Sequence, residues 1–181
     1  MSAELLRETI WSCRRSAFRL EARQQYTVSA EADALAAFRD NRHRQARSVR
    51  TDNYLRTVAR QVIDGKDRSR VHIVSRPLSE YLRFELAEYQ DSVVAGERVF
   101  IADRDAHPEL AGLHDDFWLI DEGRRTERAL LINYTADGEY AGCSLVPKSK
   151  VAELRAAKDA ALSHAISLSA YMAEMEEMEA A

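Results

Sequence analysis

Arg70-Val71-His72-Ile73-Val74-Ser75-Arg76-Pro77 runs directly into Leu78-Ser79-Glu80-Tyr81-Leu82-Arg83-Phe84-Glu85-Leu86-Ala87-Glu88-Tyr89, and the join between them decides the fold. The first part is short, β-branched and apolar, as a buried strand is. Pro77 stops it, because proline has no N–H to give a ladder. Beyond it Leu78, Leu82 and Leu86 recur at every fourth residue, which places them on one stripe of a helix. A strand feeding a helix across a short turn begins an α/β layer.

Downstream, Gly96 marks a turn, and residues 97–103, 117–121, 129–134 and 140–146 read as strands. Asp137-Gly138 is a hairpin signal. These strands follow too closely for crossover helices, so they pair antiparallel. Upstream, Phe18 and Leu20 alternate with Arg19 and Glu21, the period of a strand over 16–21 with one wet face, which Tyr26 and Val28 continue after a bend. Ser29 is placed to cap a helix starting near Ala30, and Thr51 or Asp52 to cap a second one carrying Leu55, Val58, Ala59, Val62 and Ile63. Asp64-Gly65 ends that helix and residues 66–69 read as a loop.

Near the end, Val151, Leu154, Ala161 and Ala165 share a helix face. After a break near Ser167 come Leu168, Tyr171, Met172, Met175 and Met178 among four glutamates. The fold class read from this order is α/β (α+β): a central mixed, largely antiparallel sheet of about five strands with flanking helices. Residues 1–166 form one domain and 167–181 an acidic, Met-rich helical tail. The methionine side of that tail is either packed on the chain's own core or a docking face for a protein partner or a second copy, since Met stripes adapt to irregular partners.

At 181 residues, 46% hydrophobic and 31% charged, the chain is long enough for one cored domain. Cys13 and Cys143 make no disulfide framework, and no apolar run reaches signal-peptide or membrane-span length. The expectation is a cytoplasmic chain with no membrane partner. The net charge of −4 is uneven. Residues 1–71 hold 15 Lys and Arg against 9 Asp and Glu, and residues 72–181 hold 11 against 21. Such a split either steers a partner or is neutralised across the fold.

Three blocks carry a resemblance: residues 12–21 with Tyr26; residues 70–85; and Asp116-Phe117-Trp118-Leu119-Ile120-Asp121 with Tyr134, Asp137-Gly138 and Gly142. Together they resemble an actinobacterial domain family of unknown function whose members are often encoded beside helix-turn-helix regulators. That resemblance implies a regulatory setting and no activity. The arginine-rich segment 39–50 and the acidic tail depart from what the family leads one to expect. The order of elements is also similar to one half of a phospholipase D-type domain, whose site is a His, a Lys two residues on and an Asp five further. His114, Asp116 and Asp121 stand at those spacings. Asp116 reverses the charge of the lysine, and a phosphoryl oxyanion needs cations around it.

The residues themselves supply three candidate sites. His114 and Asp121 are the candidate catalytic pair. His107 and His114 lie in a loop rich in carboxylates that is either a metal or acid–base cluster or simply solvated. Arg19, Arg70, Arg76 and Arg83, with the Ser75 hydroxyl, would make an anion pocket if they converged at the end of the central strand, guanidinium forks being suited to carboxylates and phosphates; the plainer alternative is ion pairing with Glu21, Glu80 and Glu85. Arg42, Arg44, Arg47 and Arg50, within residues 39–60, could meet a nucleic-acid backbone, although Tyr54 alone is there to stack on a base. No nucleotide loop and no close Cys/His pair occur, so neither a cofactor nor a metal is implied. Two functions remain: a regulatory or partner-binding module taking an anionic ligand, or an enzyme, phosphodiesterase- or transferase-like, acting on a nucleotide, tRNA-linked or phosphorylated substrate.

Overall fold

The structure is a computed structural model that describes residues 2–40 and 47–180. Its elements in chain order are α1 (Ala3–Trp11), β1 (Ser16–Glu21), α2 (Ala32–Arg39), α3 (Asn53–Ile63), β2 (Asp67–Val74), α4 (Glu80–Val94), β3 (Arg98–Asp103), β4 (Asp116–Ile120), β5 (Arg128–Tyr134), β6 (Tyr140–Leu145), α5 (Lys148–Ser163), β7 (Ala165–Ser167) and α6 (Leu168–Ala180). The seven strands form one mixed sheet in the order β6-β5-β4-β1-β2-β3-β7. β1, β2 and β3 run parallel, joined by the helical crossovers α2–α3 and α4. All other pairings are antiparallel. The mixed, largely antiparallel sheet expected from sequence is therefore present, with seven strands instead of about five.

Two differences have simple causes. β2 starts at Asp67, inside the expected loop, because residues 67–72 pair with 16–21 of β1. β7 is only three residues long, at the expected break, and is held by its register on Phe100–Ala102; a strand that short leaves no periodicity to read.

The two faces of the sheet differ chemically. Phe18, Leu20, Val71, Ile73, Ala102, Phe117 and Leu119 point to one side, where α5 covers them with Val151, Leu154 and Ala161. The register puts Arg19, Glu21, Arg68, Arg70, His72 and Trp118 on the other side. That side is only partly apolar. At one end Ile10 of α1 and both free cysteines, Cys13 and Cys143, pack with Trp118, Ile120 and Leu130. At the other end α4 and α6 pack Leu82, Leu86, Leu168 and Tyr171 against Val74, Val99 and Ile101. The polar side chains lie between.

Asp52 caps α3, accepting from the Leu55 N–H at 2.9 Å. Ser79 caps α4 through the Leu82 N–H at 3.1 Å. Ser29 opens a 3₁₀ turn instead of capping a helix. On α3, Leu55 and Val58 are buried as expected, but Ile63 is 84% exposed. The methionine side of α6 lies on the chain's own core through Met172 and Met175, leaving Met178 exposed. No helix among the described residues is long and apolar enough to cross a membrane.

The start of β1 hangs on one carboxylate. Asp121, fully buried and with φ of 55°, accepts from the Arg14 and Arg15 N–H groups at 2.8 Å each, and from Thr126 Oγ1 at 3.1 Å. These hydrogen bonds hold its carboxyl below the usual range against the opposing effect of burial. Alanine there would leave part-buried donors without an acceptor, at about 1–3 kcal/mol each, in a left-handed conformation it disfavours. Asp121→Ala is expected to lower unfolding free energy by about 3–5 kcal/mol in urea titration; a loss below about 1 kcal/mol would contradict the anchoring role.

Candidate functional site

The polar strip on the sheet is the floor of a cavity of about 410 Å³. β1, β2 and β4 supply Arg19, Glu21, Arg70 and Trp118 from below. The walls come mainly from α4, whose Tyr81, Phe84, Glu85, Glu88, Tyr89 and Ser92 recur at i, i+3, i+4, i+7, i+8 and i+11 and so lie on one face. Tyr54 of α3, Leu6 of α1 and the β5–β6 hairpin residues Tyr134 and Tyr140 close the remaining sides. The hairpin tip is clamped onto residues 25–27. The Thr27 N–H donates to Gly138 O at 3.0 Å, and a Cβ on Gly138 would come within 3.0 Å of Gln25 O. This contact brings the Tyr26 ring within 5.1 Å of Tyr134 and 5.9 Å of Tyr81.

Arg70 is the strut of the floor. Its guanidinium donates to Glu21 Oε2 at 2.8 Å, to both oxygens of Glu97 at 3.1 Å and to the Tyr54 hydroxyl at 2.7 Å, and lies 4.6 Å above the Tyr89 ring. Glu21 is fully engaged. Oε1 meets Arg19 at 2.8 Å, and Oε2 accepts from Arg70 and from the Tyr89 hydroxyl at 3.0 Å. Burial alone would raise its pKa; the Arg19 and Arg70 charges outweigh that and pull it down to about 2. His72, deeper in the strip, has Nδ1 at 3.0 Å from the Tyr89 hydroxyl and Nε2 at 2.9 Å from Arg23 O. Burial pushes its pKa down. Asp116 anchors the far wall, accepting from Tyr26 Oη at 2.5 Å and the Ala22 N–H at 2.9 Å.

Arg19 Nε and Glu85 Oε2, both on cavity-lining residues, are buried with no hydrogen-bond partner among the described residues. Arg68 Nε and Nη1, beside Trp118 on the same strip, are likewise without one, and Arg47 Nε at the rim has only its ion pair with Glu88. Arg19 spends one terminal nitrogen on Glu21 and Tyr134 Oη, and stacks at 5.6 Å on Trp118. Glu85 Oε2 is 3.5 Å from His72 Nδ1, a nitrogen already shared with Tyr89. Burial, reinforced by the Glu21 charge, raises the Glu85 pKa well above the carboxylate range. The two glutamates are thus pushed in opposite directions, Glu21 of the strip down and Glu85 of α4 up.

Protein-family comparison places residues 4–173 within a domain of unknown function, DUF6879. The chain belongs to this family. No curated protein and no solved structure matches it.

Of the sequence candidates among the described residues, the DUF6879 fold brings Arg19, Arg70 and Arg47 to one cavity and places the others elsewhere. Arg76 lies at the end of β2 over the Tyr171 ring, with Nε donating to Asp103 at 2.7 Å. Arg83 is on the outer face of α4 and shares with Arg76 a shallow groove beside Met175 and Met178. Ser75 is fixed by its N–H to Gln24 Oε1. None of these three lines the cavity. The proposed catalytic pair is split: His114 is exposed in the loop before β4 and Asp121 is buried just past its other end. Arg42 and Arg44 lie outside the described residues. Arg47 turns to the cavity rim and pairs with Glu88 at 2.6 Å, while Arg50 is exposed in the turn before α3.

Tyr26, Tyr54, Tyr81, Glu85, Tyr89 and Tyr134 were missed as site residues. The signal was present in part: Arg68, Arg70 and His72 alternate with Ser69, Val71 and Ile73, a polar period of two inside a buried strand, and α4 carries a second stripe beside its leucines.

The raised Glu85 pKa has a stability signature. The native protein retains a proton that the unfolded chain releases above about pH 4.5, so this contribution is full below that pH and is lost as pH rises through the native pKa. Glu85→Gln removes the titration. Wild-type urea midpoints, taken relative to Glu85→Gln, are expected to fall from pH 5 to pH 8; a constant difference would contradict a raised Glu85 pKa.

Proposed function

We propose that this DUF6879 domain is a ligand-binding module with a regulatory role. It takes one small planar molecule into the cavity and reads an acceptor at that molecule's edge with Arg19. The observation that carries the reading is the pair of unpartnered buried atoms, Arg19 Nε and Glu85 Oε2, in a cavity of about 410 Å³. Buried polar atoms in folded proteins are almost always hydrogen-bonded, and a cavity of that volume, walled by aromatic rings with a few convergent polar groups, suits a small-molecule site. Tyr26, Tyr81, Tyr134 and Trp118 offer faces and edges to a flat ring.

Charge narrows the ligand. Arg70 is fully occupied by Glu21, Glu97 and Tyr54. Arg47 is paired with Glu88 and Asp52. With Glu31 and Glu88 also on the lining, little cationic surplus remains for a phosphate dianion. A neutral ring carbonyl or a single carboxylate matches the unpartnered Arg19 Nε–H. The enzyme reading has support in the contrast between the raised Glu85 pKa and the lowered Glu21 pKa. It lacks a base, because both Glu21 oxygens are already engaged. A binding role, with output to a partner as the family resemblance implies, is therefore favoured.

Trp118 on the floor reports occupancy by fluorescence once Trp11 is replaced by Phe. Benzoate and adenine, as planar probes, are expected to change Trp118 emission saturably, and inorganic phosphate is not. Arg19→Met should weaken the planar probes at least tenfold and Arg19→Lys by less. No saturable response from either planar probe, or equal binding by Arg19→Met, would overturn the reading.

A further inference from the structure

We propose that His107, Glu109 and His164 form a binding site for one late first-row divalent metal ion, of which Zn²⁺ is the simplest case. The site is separate from the cavity and does not depend on the function proposed for it.

The three residues come from two segments that meet on the α5 side of the sheet. His107 precedes the 3₁₀ turn Pro108–Leu110, Glu109 is within that turn, and His164 ends α5. Leu110 is fully buried in the same apolar cluster as Val151 and Ala161 of α5, which fixes the turn against the helix. The backbone at each position is held: the His107 N–H donates to Arg104 O at 3.3 Å, Leu110 N–H to His107 O at 3.0 Å, and His164 N–H to Ala161 O at 3.3 Å. The imidazole rings are 4.5 Å apart, tilted by 34°. One donor atom from each of the three side chains lies within 4.8 Å of the other two.

Zinc–ligand bonds of about 2.0–2.2 Å put tetrahedral ligands roughly 3.3–3.6 Å apart, so side-chain rotation alone closes the set around an ion. Nothing competes for the donors. Among the described residues none of the three side chains makes a hydrogen bond or an ion pair; the only contact between them is the imidazole pair itself. Two imidazoles and a carboxylate select Zn²⁺, Co²⁺, Ni²⁺ or Cu²⁺ over Ca²⁺ and Mg²⁺. Both histidines are half-buried and Glu109 is exposed, which leaves a fourth position for water. Bound metal would pin the 3₁₀ turn to the end of α5, immediately before β7, and stabilise the fold by mass action. The sequence paired His107 with His114; the fold pairs it with His164, far along the chain.

The test is calorimetric titration of Zn²⁺ into untagged, chelator-treated full-length protein at pH 7.5, compared with His164→Gln, Glu109→Gln and His114→Gln. One equivalent is expected to bind and to raise the melting temperature. Co²⁺ in its place should give visible absorption bands. His164→Gln should weaken binding at least tenfold, Glu109→Gln should weaken it too, and His114→Gln should match the parent. Circular dichroism of the metal-free variants, unchanged from wild type, separates lost ligation from lost folding. Absence of a saturable equivalent, or His164→Gln binding as tightly as the parent, would overturn the proposal.

Discussion

The Arg70 guanidinium, lying under α3 and α4 with a glutamate on each side, is the interaction on which the rest of the structure depends. Glu21 at the end of β1 and Glu97 just before β3 are brought to it by the parallel register of β1, β2 and β3. An ion so deeply placed is costly to desolvate, and the cost is met only when its donors are fully used. Tyr54 and the Tyr89 ring complete that set. The arrangement therefore ties α3 and α4 to the middle of the sheet through polar contacts, where an apolar core would otherwise be expected.

That choice makes the cavity possible. The opposite face of the sheet is filled by α5 with ordinary aliphatic packing. On this face the polar floor holds α3 and α4 at a fixed height without filling the space above Arg19. α1 covers one flank, the hairpin clamped by Gly138 covers another, and α4 presents an aromatic and acidic stripe inward. Arg68, fully buried, lies 5.2 Å from the same indole that Arg19 approaches at 5.6 Å. Trp118 is thus in contact with two cations, and its position is set by neighbours that also shape the floor. Oppositely poised Glu21 and Glu85 follow from the same geometry: one carboxylate is surrounded by guanidiniums, the other by tyrosines and by its ionised neighbour.

Much of this was legible in the chain. The strand-to-helix join at Pro77, the hairpin at Asp137-Gly138, the cap at Asp52 and the alternation in 16–21 each rest on local chemistry that a sequence carries openly. β7 and the first residues of β2 were hidden, because their strand character comes from partners far along the chain. The site was half legible. Arg19 and Arg70 stood out as arginines inside apolar runs, but their partners are distributed over β1, α3, α4 and the residue before β3. Arg76 and Arg83 looked equivalent to them, yet Arg76 lies past the end of β2, where it pairs with Asp103, and Arg83 falls on the outer side of its helix. The leucine stripe of α4 was read and the tyrosine–glutamate stripe next to it was not, since aromatic and acidic residues on a helix are commonly its wet face.

The central claim is that Arg70 and Glu21 act as one buried unit beneath the cavity. It is tested most directly by a double-mutant cycle in urea unfolding, using Arg70→Met, Glu21→Gln and the two combined. Each single change leaves a buried group unpartnered and should cost about 3–5 kcal/mol, with the pair costing less than the sum by at least about 2 kcal/mol. Losses that add to within about 0.5 kcal/mol would mean the two residues do not depend on each other, and would contradict the account.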